Sequence, residues 1–414
     1  MLPTLDEQVT EDVPQRHRFF RTISKGGWPF STQDHGWPIA DCTAEGLKAA
    51  LALRSLAVDG ALPAPPAHLM LRVGAVADYI PVSRLADAVD VILALHNPHN
   101  DGGWATYEET RGGAWYEALN PAEVFGDIMV DYTYTELTSS AVQALAAFVT
   151  AFPHHPRALA ARSALEAGVR YVRAQQRDDG SWYGSWAVCF TYGAWFGVEA
   201  LCAGRCGGDT PIPSDAAALA ASSAFLLSKQ AVDGGWGETY LSCLTKVYCA
   251  GPSNAVNTAW ALLALMKART DDVAAVQRGV AFLLAQQTAD GDWAQDRIAG
   301  IFNRTCGITY TSYRNVFPLW ALAVYENEYA PRMAALAGHA LPPVPLLGAS
   351  ISDPSSEAAM PRPSASQSPY RRRRGSGAAI AMQQPPADVR SRGAAGARQS
   401  QRRSRVPSAR SARQ

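Results

Sequence analysis

The chain has 414 residues, 37 basic and 37 acidic, and 48% of them are hydrophobic, enough for one large domain or two ordinary ones. No stretch reaches the roughly 18 uninterrupted apolar residues of a membrane-spanning helix, and the acidic, polar start MLPTLDEQVTEDV is neither a signal peptide nor a typical transit peptide. The zero net charge conceals an asymmetry: residues 351–414 carry 13 arginines against three acids, and the remainder carries 24 bases against 34 acids. Seven cysteines, an odd number without a framework pattern, fit a reducing compartment or a cytosol-facing surface. Cys202 and Cys206 are close, as are Cys243 and Cys249, but no histidine sits beside them at metal-ligand spacing, so no metal is expected.

In chain order, residues 1–24 read as an N-terminal extension and 25–335 as the folded domain. Within the domain, Ser31 to Leu53 opens on Pro38, which suits a first helical turn because proline needs no N–H partner there. Ala44, Leu47, Ala50 and Leu51 then recur at helical spacing, so a buried helix is expected, with Asp41 and Glu45 on one face. An aspartate at that place is either a helix cap or a functional acid. The stretch NPHNDGGW, with His96 and His99, reads as a solvated turn. Helices are expected at 139–151, 217–227, 257–267 and 273–285, with no convincing set of strands. Trp260 and Trp320 read as core.

One unit repeats: an apolar helix end, a glutamine, an Asp-Gly turn and a tryptophan. It runs from Tyr171 to Trp182, Phe225 to Trp236 and Phe282 to Trp293, about 55 residues apart, which is two helices and their loops. A weaker copy from Leu93 to Trp104 lacks the glutamine. Such a glutamine can bond backbone groups freed at the helix end while the tryptophan covers the turn. The repeat implies an all-α fold, an α/α barrel (toroid) with inner and outer helices alternating. From about residue 342 to 414 the composition turns to Pro, Ser, Ala, Gly and Arg, which cannot bury enough apolar area to offset its ordering entropy, so a disordered tail is expected. Its arginines have the chemistry to touch RNA or anionic lipid, but a solvated tail is the plainer reading and no nucleic-acid partner is expected.

The words Asp41-Cys42-Thr43-Ala44-Glu45 and Gly36-Trp37-Pro38-Ile39 resemble the catalytic signature of the oxidosqualene cyclases, and the repeats resemble the QW motif of triterpene cyclases. The resemblance runs from about Lys25 to Tyr329 and covers the C-terminal half of such an enzyme. It implies an α/α barrel, a cyclisation of (3S)-2,3-oxidosqualene without cofactor or metal, and Asp41 as the acid that protonates the epoxide. An epoxide oxygen is a weak base, so the donor must be kept protonated by burial yet have donors ready for the carboxylate it becomes. Cys42, through its S–H, is the expected adjacent donor, and Glu45 the expected carboxylate that orients or re-protonates Asp41. By matching words, Phe30, Trp186 and Phe302 would face the substrate, Tyr107 would assist the final proton loss, and Ile128 would sit at the constriction of the substrate channel. Aromatic faces stabilise a carbocation without a lone pair to trap it. His35 and Ile39 are the residues usual in cycloartenol-forming members, where His35 would hold a hydrogen-bond network around the terminating base. The intact enzyme would sit monotopically on the endoplasmic reticulum membrane or on lipid droplets, facing the cytosol.

Two departures stand out. Leu137 replaces a cysteine that bonds the catalytic aspartate in the family, and the first half of a cyclase has no counterpart. A non-catalytic toroid is therefore the alternative from another class. A protein prenyltransferase β-subunit shares the barrel but needs a zinc set that this sequence does not assemble.

Overall fold

The helix at the centre of the molecule is buried on every side. In α8 (Ala255–Lys267) all twelve residues before the last are buried. A helix of that kind is stable only when enclosed by others. In the computed structural model the described residues are 6–58, 80–122, 126–204, 213–302 and 306–344. The tail expected to be disordered lies outside them beyond residue 344. The described residues all belong to one compact unit.

The inner helices are α1 (Ala40–Val58), α3 (Thr135–Ala151), α5 (Phe190–Ala203), α8 and α10 (Thr311–Val324), each packed on the next. The outer helices are α2 (Val82–Ala94) against α1, α4 (Ala158–Ala174) against α3, α6 (Pro213–Lys229) against α5 and α8, and α9 (Val273–Gln286) against α8. A short α7 (Leu241–Thr245) precedes α8, and α11 (Ala330–Ala337) follows a π turn after α10. This is an α/α barrel. The outer helices bury only one face, as α2 does with Leu85, Val89 and Ile92. The four expected helices correspond to α3, α6, α8 and α9, each starting up to four residues earlier. The described residues hold one small antiparallel pair, β1 (Gly300–Phe302) with β2 (Cys306–Ile308). Trp260 is fully buried as core, whereas Trp320 lies on the outward side of α10 and is 40% exposed.

The repeats are clamps. Gln176 donates through Nε2 to the carbonyls of Gly180 (3.0 Å) and Ala218 (2.8 Å), tying one turn to the next outer helix. Gln230 does the same to Gly234 and Ala275. The indole N–H of Trp182, Trp236 and Trp293 reaches back to Val172, Leu226 and Leu283. In the weaker copy Trp104 bonds Ile92 in the same way, at 2.7 Å. Here two extra residues shift the frame, and His96 takes the glutamine's place: Nε2 lies 3.2 Å from the Gly102 carbonyl and its ring stacks on Trp104 at 4.5 Å. The solvated-turn reading of His96 is therefore corrected, since the side chain is buried and its pKa is lowered by that burial. His99 is exposed, as read.

Residues 6–24 lie against the barrel. Val9 exchanges backbone bonds with Gly26 and Gly27, and the Gln8 amide bridges Gly26 and Arg84. Asp12 accepts the N–H groups of Ser24 and Lys25.

The clamp turns put glycine in the left-handed region, at φ +86° for Gly234 and +85° for Gly291. A Cβ at Gly234 would meet the Arg278 carbonyl at 2.6 Å, whereas at Gly291 nothing lies nearer than 4.0 Å. Gly291→Ala should therefore cost only the left-handed penalty, about 1–2 kcal/mol. Gly234→Ala should cost about 1–3 kcal/mol more, because the helix must move away. Urea unfolding of the two variants checks the order; equal losses would contradict the close approach.

Candidate active site

The acid sits where α1 begins. Ala40 donates its N–H to the Thr106 carbonyl at 2.9 Å, which pins the head of α1 to the segment carrying Tyr107. Asp41 follows, partly buried, with Ile39 and Ala40 fully enclosed beside it. Its Oδ1 accepts the backbone N–H of Cys42 at 2.8 Å. A capping aspartate accepts from two or three residues on, so this is not a helix cap. The donor differs from the one expected: it is the Cys42 backbone, not the thiol, whose own pKa is pushed well up by burial and by the Asp41 and Glu45 charges.

Burial pushes the Asp41 carboxyl up to about 6; the Cys42 N–H opposes the rise, and the charges of Glu45 and Asp131 add to it. Glu45 itself is exposed, paired with Lys48 at 2.9 Å, and accepts the Ser140 hydroxyl at 2.8 Å. It ties α1 to α3 and acts on Asp41 through its charge. Leu137 is buried in the first turn of α3 and offers no donor.

Tyr107 is half-buried against Trp37, with ring centroids 4.8 Å apart, and its phenol is pushed up by burial and then by the Asp131 and Asp41 charges. Asp131 fixes its backbone, accepting the N–H groups of Thr106 (2.9 Å), Tyr107 (2.7 Å) and Glu108 (3.3 Å). Arg21, from the N-terminal segment, lies over the Trp37 ring at 4.0 Å. A second aromatic group forms where Trp186 meets Phe302 at 5.2 Å and Tyr134 at 5.7 Å. Tyr192 of α5 is buried and Tyr313 of α10 partly so; both rings pack on Trp260, and both phenols feel the Asp41 and Glu136 charges.

The structure therefore gathers Asp41, Cys42, Ile39 and Tyr107 at one place and Trp186 with Phe302 at another. Phe30, His35 and Ile128 are exposed, and among the described residues no hydrogen bond or ring contact joins their side chains to Asp41 or Trp186. A cavity of about 360 Å³ opens beside the second group, lined by Tyr132, Tyr134, Tyr171, Tyr183, Ser185 and Asp127 among others. Among the described residues no cluster of three His, Cys, Asp or Glu side chains has the arrangement to hold a metal ion.

Sequence reading missed Glu136 and Asp131. Both are carboxylates in otherwise apolar or aromatic surroundings, YTYTELTSS and IMVDYTY, and a charge in such a run is rarely buried without a partner. That was the available signal.

The raised pKa of Asp41 makes a stability prediction. Below pH 3.8, the ordinary value, both folded and unfolded states are protonated and nothing is lost. As pH rises, the unfolded chain ionises first, and stability falls until the folded carboxyl ionises near 6. The full cost is about 3 kcal/mol above that point. Asp41→Asn does not titrate, so it should gain stability relative to wild type between pH 4 and 7 and hold the gain above. Denaturant unfolding across this range checks it; a pH-independent difference would contradict the raised pKa.

Comparisons with known proteins bear on this geometry. The chain is 48% identical to the lanosterol synthases of Mus musculus and Homo sapiens over 80% of its length, and 46% identical to the cycloartenol synthase of Dictyostelium discoideum over 78%. In each case it spans only 42% of the relative's length. The squalene-hopene cyclase C-terminal domain matches residues 79–327, which hold the four clamp turns, Tyr107, Trp186 and Phe302. By that match and these relatives, the chain belongs to the squalene-hopene cyclase C-terminal domain family.

Proposed function

We propose that this chain is the catalytic half of an oxidosqualene cyclase in sterol biosynthesis and that Asp41 protonates the epoxide of (3S)-2,3-oxidosqualene. The observation that carries the reading is a carboxyl held protonated to about pH 6 at the edge of an aromatic interior. The proton opens the epoxide, the double bonds close the rings in turn, hydride and methyl shifts follow, and one proton leaves. Atoms balance as an isomerisation. The Cys42 N–H at 2.8 Å receives the carboxylate that forms. Trp186 and Phe302 supply aromatic faces for the migrating cation. Tyr107, beside Asp41, is suited to the terminal proton loss. The buried Leu137, which gives Asp41 no second donor, favours the rival reading of a toroid that no longer catalyses.

In a complete cyclase carrying this chain as its second half, Asp41→Asn should lower turnover at least about a hundredfold while the fold is kept. Wild-type turnover should fall as pH rises through about 6, because only the protonated acid works. Gas chromatography of products beside thermal unfolding checks both; near-normal turnover by a folded Asn variant sinks the assignment.

For the product we propose a cycloartenol-type outcome, on the strength of His35 and the buried Ile39. Relatives of the two product types are nearly equally similar, at 48% and 46%, so identity does not discriminate. The final step chooses which proton leaves, and one methyl on the wall is worth roughly 1 kcal/mol, a several-fold change in ratio. Ile39→Val should move the ratio from cycloartenol toward lanosterol or parkeol, read as sterols in yeast lacking its own cyclase. Lanosterol alone from the unmutated enzyme would overturn this.

We further propose a monotopic seat on the endoplasmic reticulum or lipid droplets, facing the cytosol, with lipid entering past Ile128. Support comes from the exposed Trp115, Leu119, Ile128, Met129, Leu244 and Val247, which adjoin cavity-lining Ala114, Asp127 and Lys246. Among the described residues no helix is long and apolar enough to cross a membrane. The full chain should float with phosphatidylcholine vesicles, and Trp115→Ser with Leu119→Ser should remove it from the lipid fraction; flotation unchanged by the pair would place the contact elsewhere.

A further inference from the structure

Several enclosed carboxylates in the described chain hold backbone N–H groups, and Glu136 differs from Asp131 and Glu238 in how it does so. Asp131 uses both oxygens, on Thr106, Tyr107 and Glu108. Glu238 uses both, on Phe190 and Thr191. Glu136 uses one. Its Oε1 accepts the N–H of Ser185 and that of Trp186, the latter at 3.1 Å. Its Oε2 is buried and has no hydrogen-bond partner among the described residues.

What the bonded oxygen holds is the aromatic wall. The Trp186 carbonyl accepts the N–H of Ile301 at 3.2 Å, so β1, and with it Phe302, hangs from the peptide that Glu136 anchors. Ala187 bridges to Gly300, and Val188 donates to Ala299 at 2.9 Å, extending the same seam. One carboxyl on α3 thereby sets the place of two rings in contact, tilted 51° to each other.

The other oxygen poses an electrostatic problem. A buried carboxylate with an unpartnered oxygen carries a desolvation cost that a proton removes. The titratable groups around it that interact with its charge are Asp41 of α1, Tyr134 just before α3, Tyr171 of α4, Tyr192 of α5 and Tyr313 of α10. All are acids, and the phenols are pushed up by burial, so they stay neutral. Burial pushes Glu136 up to about 7; the Ser185 and Trp186 N–H groups pull against that, and the Asp41 charge adds to it.

We propose that Glu136 is a positioning residue that anchors the Trp186–Phe302 wall with one carboxyl oxygen and keeps a proton on the other, so that this carboxyl adds no charge beside the wall. The purpose rests on the cyclase reading above. When Asp41 gives up its proton, its new charge strengthens the hold of Glu136 on its own proton. A second carboxylate beside a carbocation would capture it or draw it off course, and the neutral acid does neither.

The test uses the full 414-residue chain labelled with 5-fluorotryptophan, the Trp186 fluorine resonance being assigned by Trp186→Phe. In wild type that resonance should shift through a one-proton transition centred near pH 7. In Glu136→Gln it should stay sharp and lose the transition, because the amide oxygen still accepts both N–H groups but does not titrate. In Asp41→Asn the transition should remain and move to lower pH. Glu136→Ala should shift or broaden the resonance at every pH, with Gln restoring it; where Ala does not fold, the Gln titration carries the test alone. A transition that persists in Glu136→Gln, or none in wild type, overturns the proton-holding role. A sharp, unshifted resonance in Glu136→Ala overturns the anchoring role. Loss of the cyclase reading would instead show in the Asp41→Asn turnover and leave these titrations in place.

Discussion

Ionising a carboxyl away from water is costly, and the interior of this barrel is arranged around that cost. Asp41 sits at the head of α1 with the Cys42 backbone N–H ready to receive its charge. That combination keeps the proton on at moderate pH while leaving the anion a partner once the proton has gone. A further donor would stabilise the anion and lower the pKa.

The rest of the fold serves to keep such an interior in place. Inner helices that are apolar all round would collapse onto one another without a frame. The clamp turns provide it from outside: Gln176 and Gln230 tie their turns to the next outer helix, and each tryptophan ties the turn to the helix it ends. The polar work is thus done at the periphery, where backbone groups are freed by helix ends, and the middle is left to aromatic rings and a few carboxyls. Those carboxyls are not alike. Asp131 and Glu238 spend both oxygens on backbone N–H groups, whereas Asp41 and Glu136 keep one oxygen out of such bonds.

Much of this was readable from residue order. The spacing of Gln, Asp-Gly and Trp gave the helix pairs and their alternation, because a clamp must recur once per pair. The acid was marked by its flanking words. What escaped was local backbone detail on one hand and contacts distant in sequence on the other. His96 was read as solvated because the two inserted residues hid its alignment with the glutamines. The donor to Asp41 was assigned to the Cys42 thiol because backbone N–H groups are invisible in a side-chain pattern. Glu136 reaches a loop some fifty residues away, which periodicity alone does not reveal. Arg21 meets Trp37 through a segment that composition marks only as an extension.

The central claim is that burial holds the Asp41 carboxyl in its acid form well above the ordinary aspartate range. The direct measurement is a carbon-13 NMR titration of the chain with labelled aspartate side chains, the Asp41 signal assigned by its loss in Asp41→Asn. The account predicts a midpoint near 6 for that one signal. A midpoint at or below the usual value of 3.8 would contradict it.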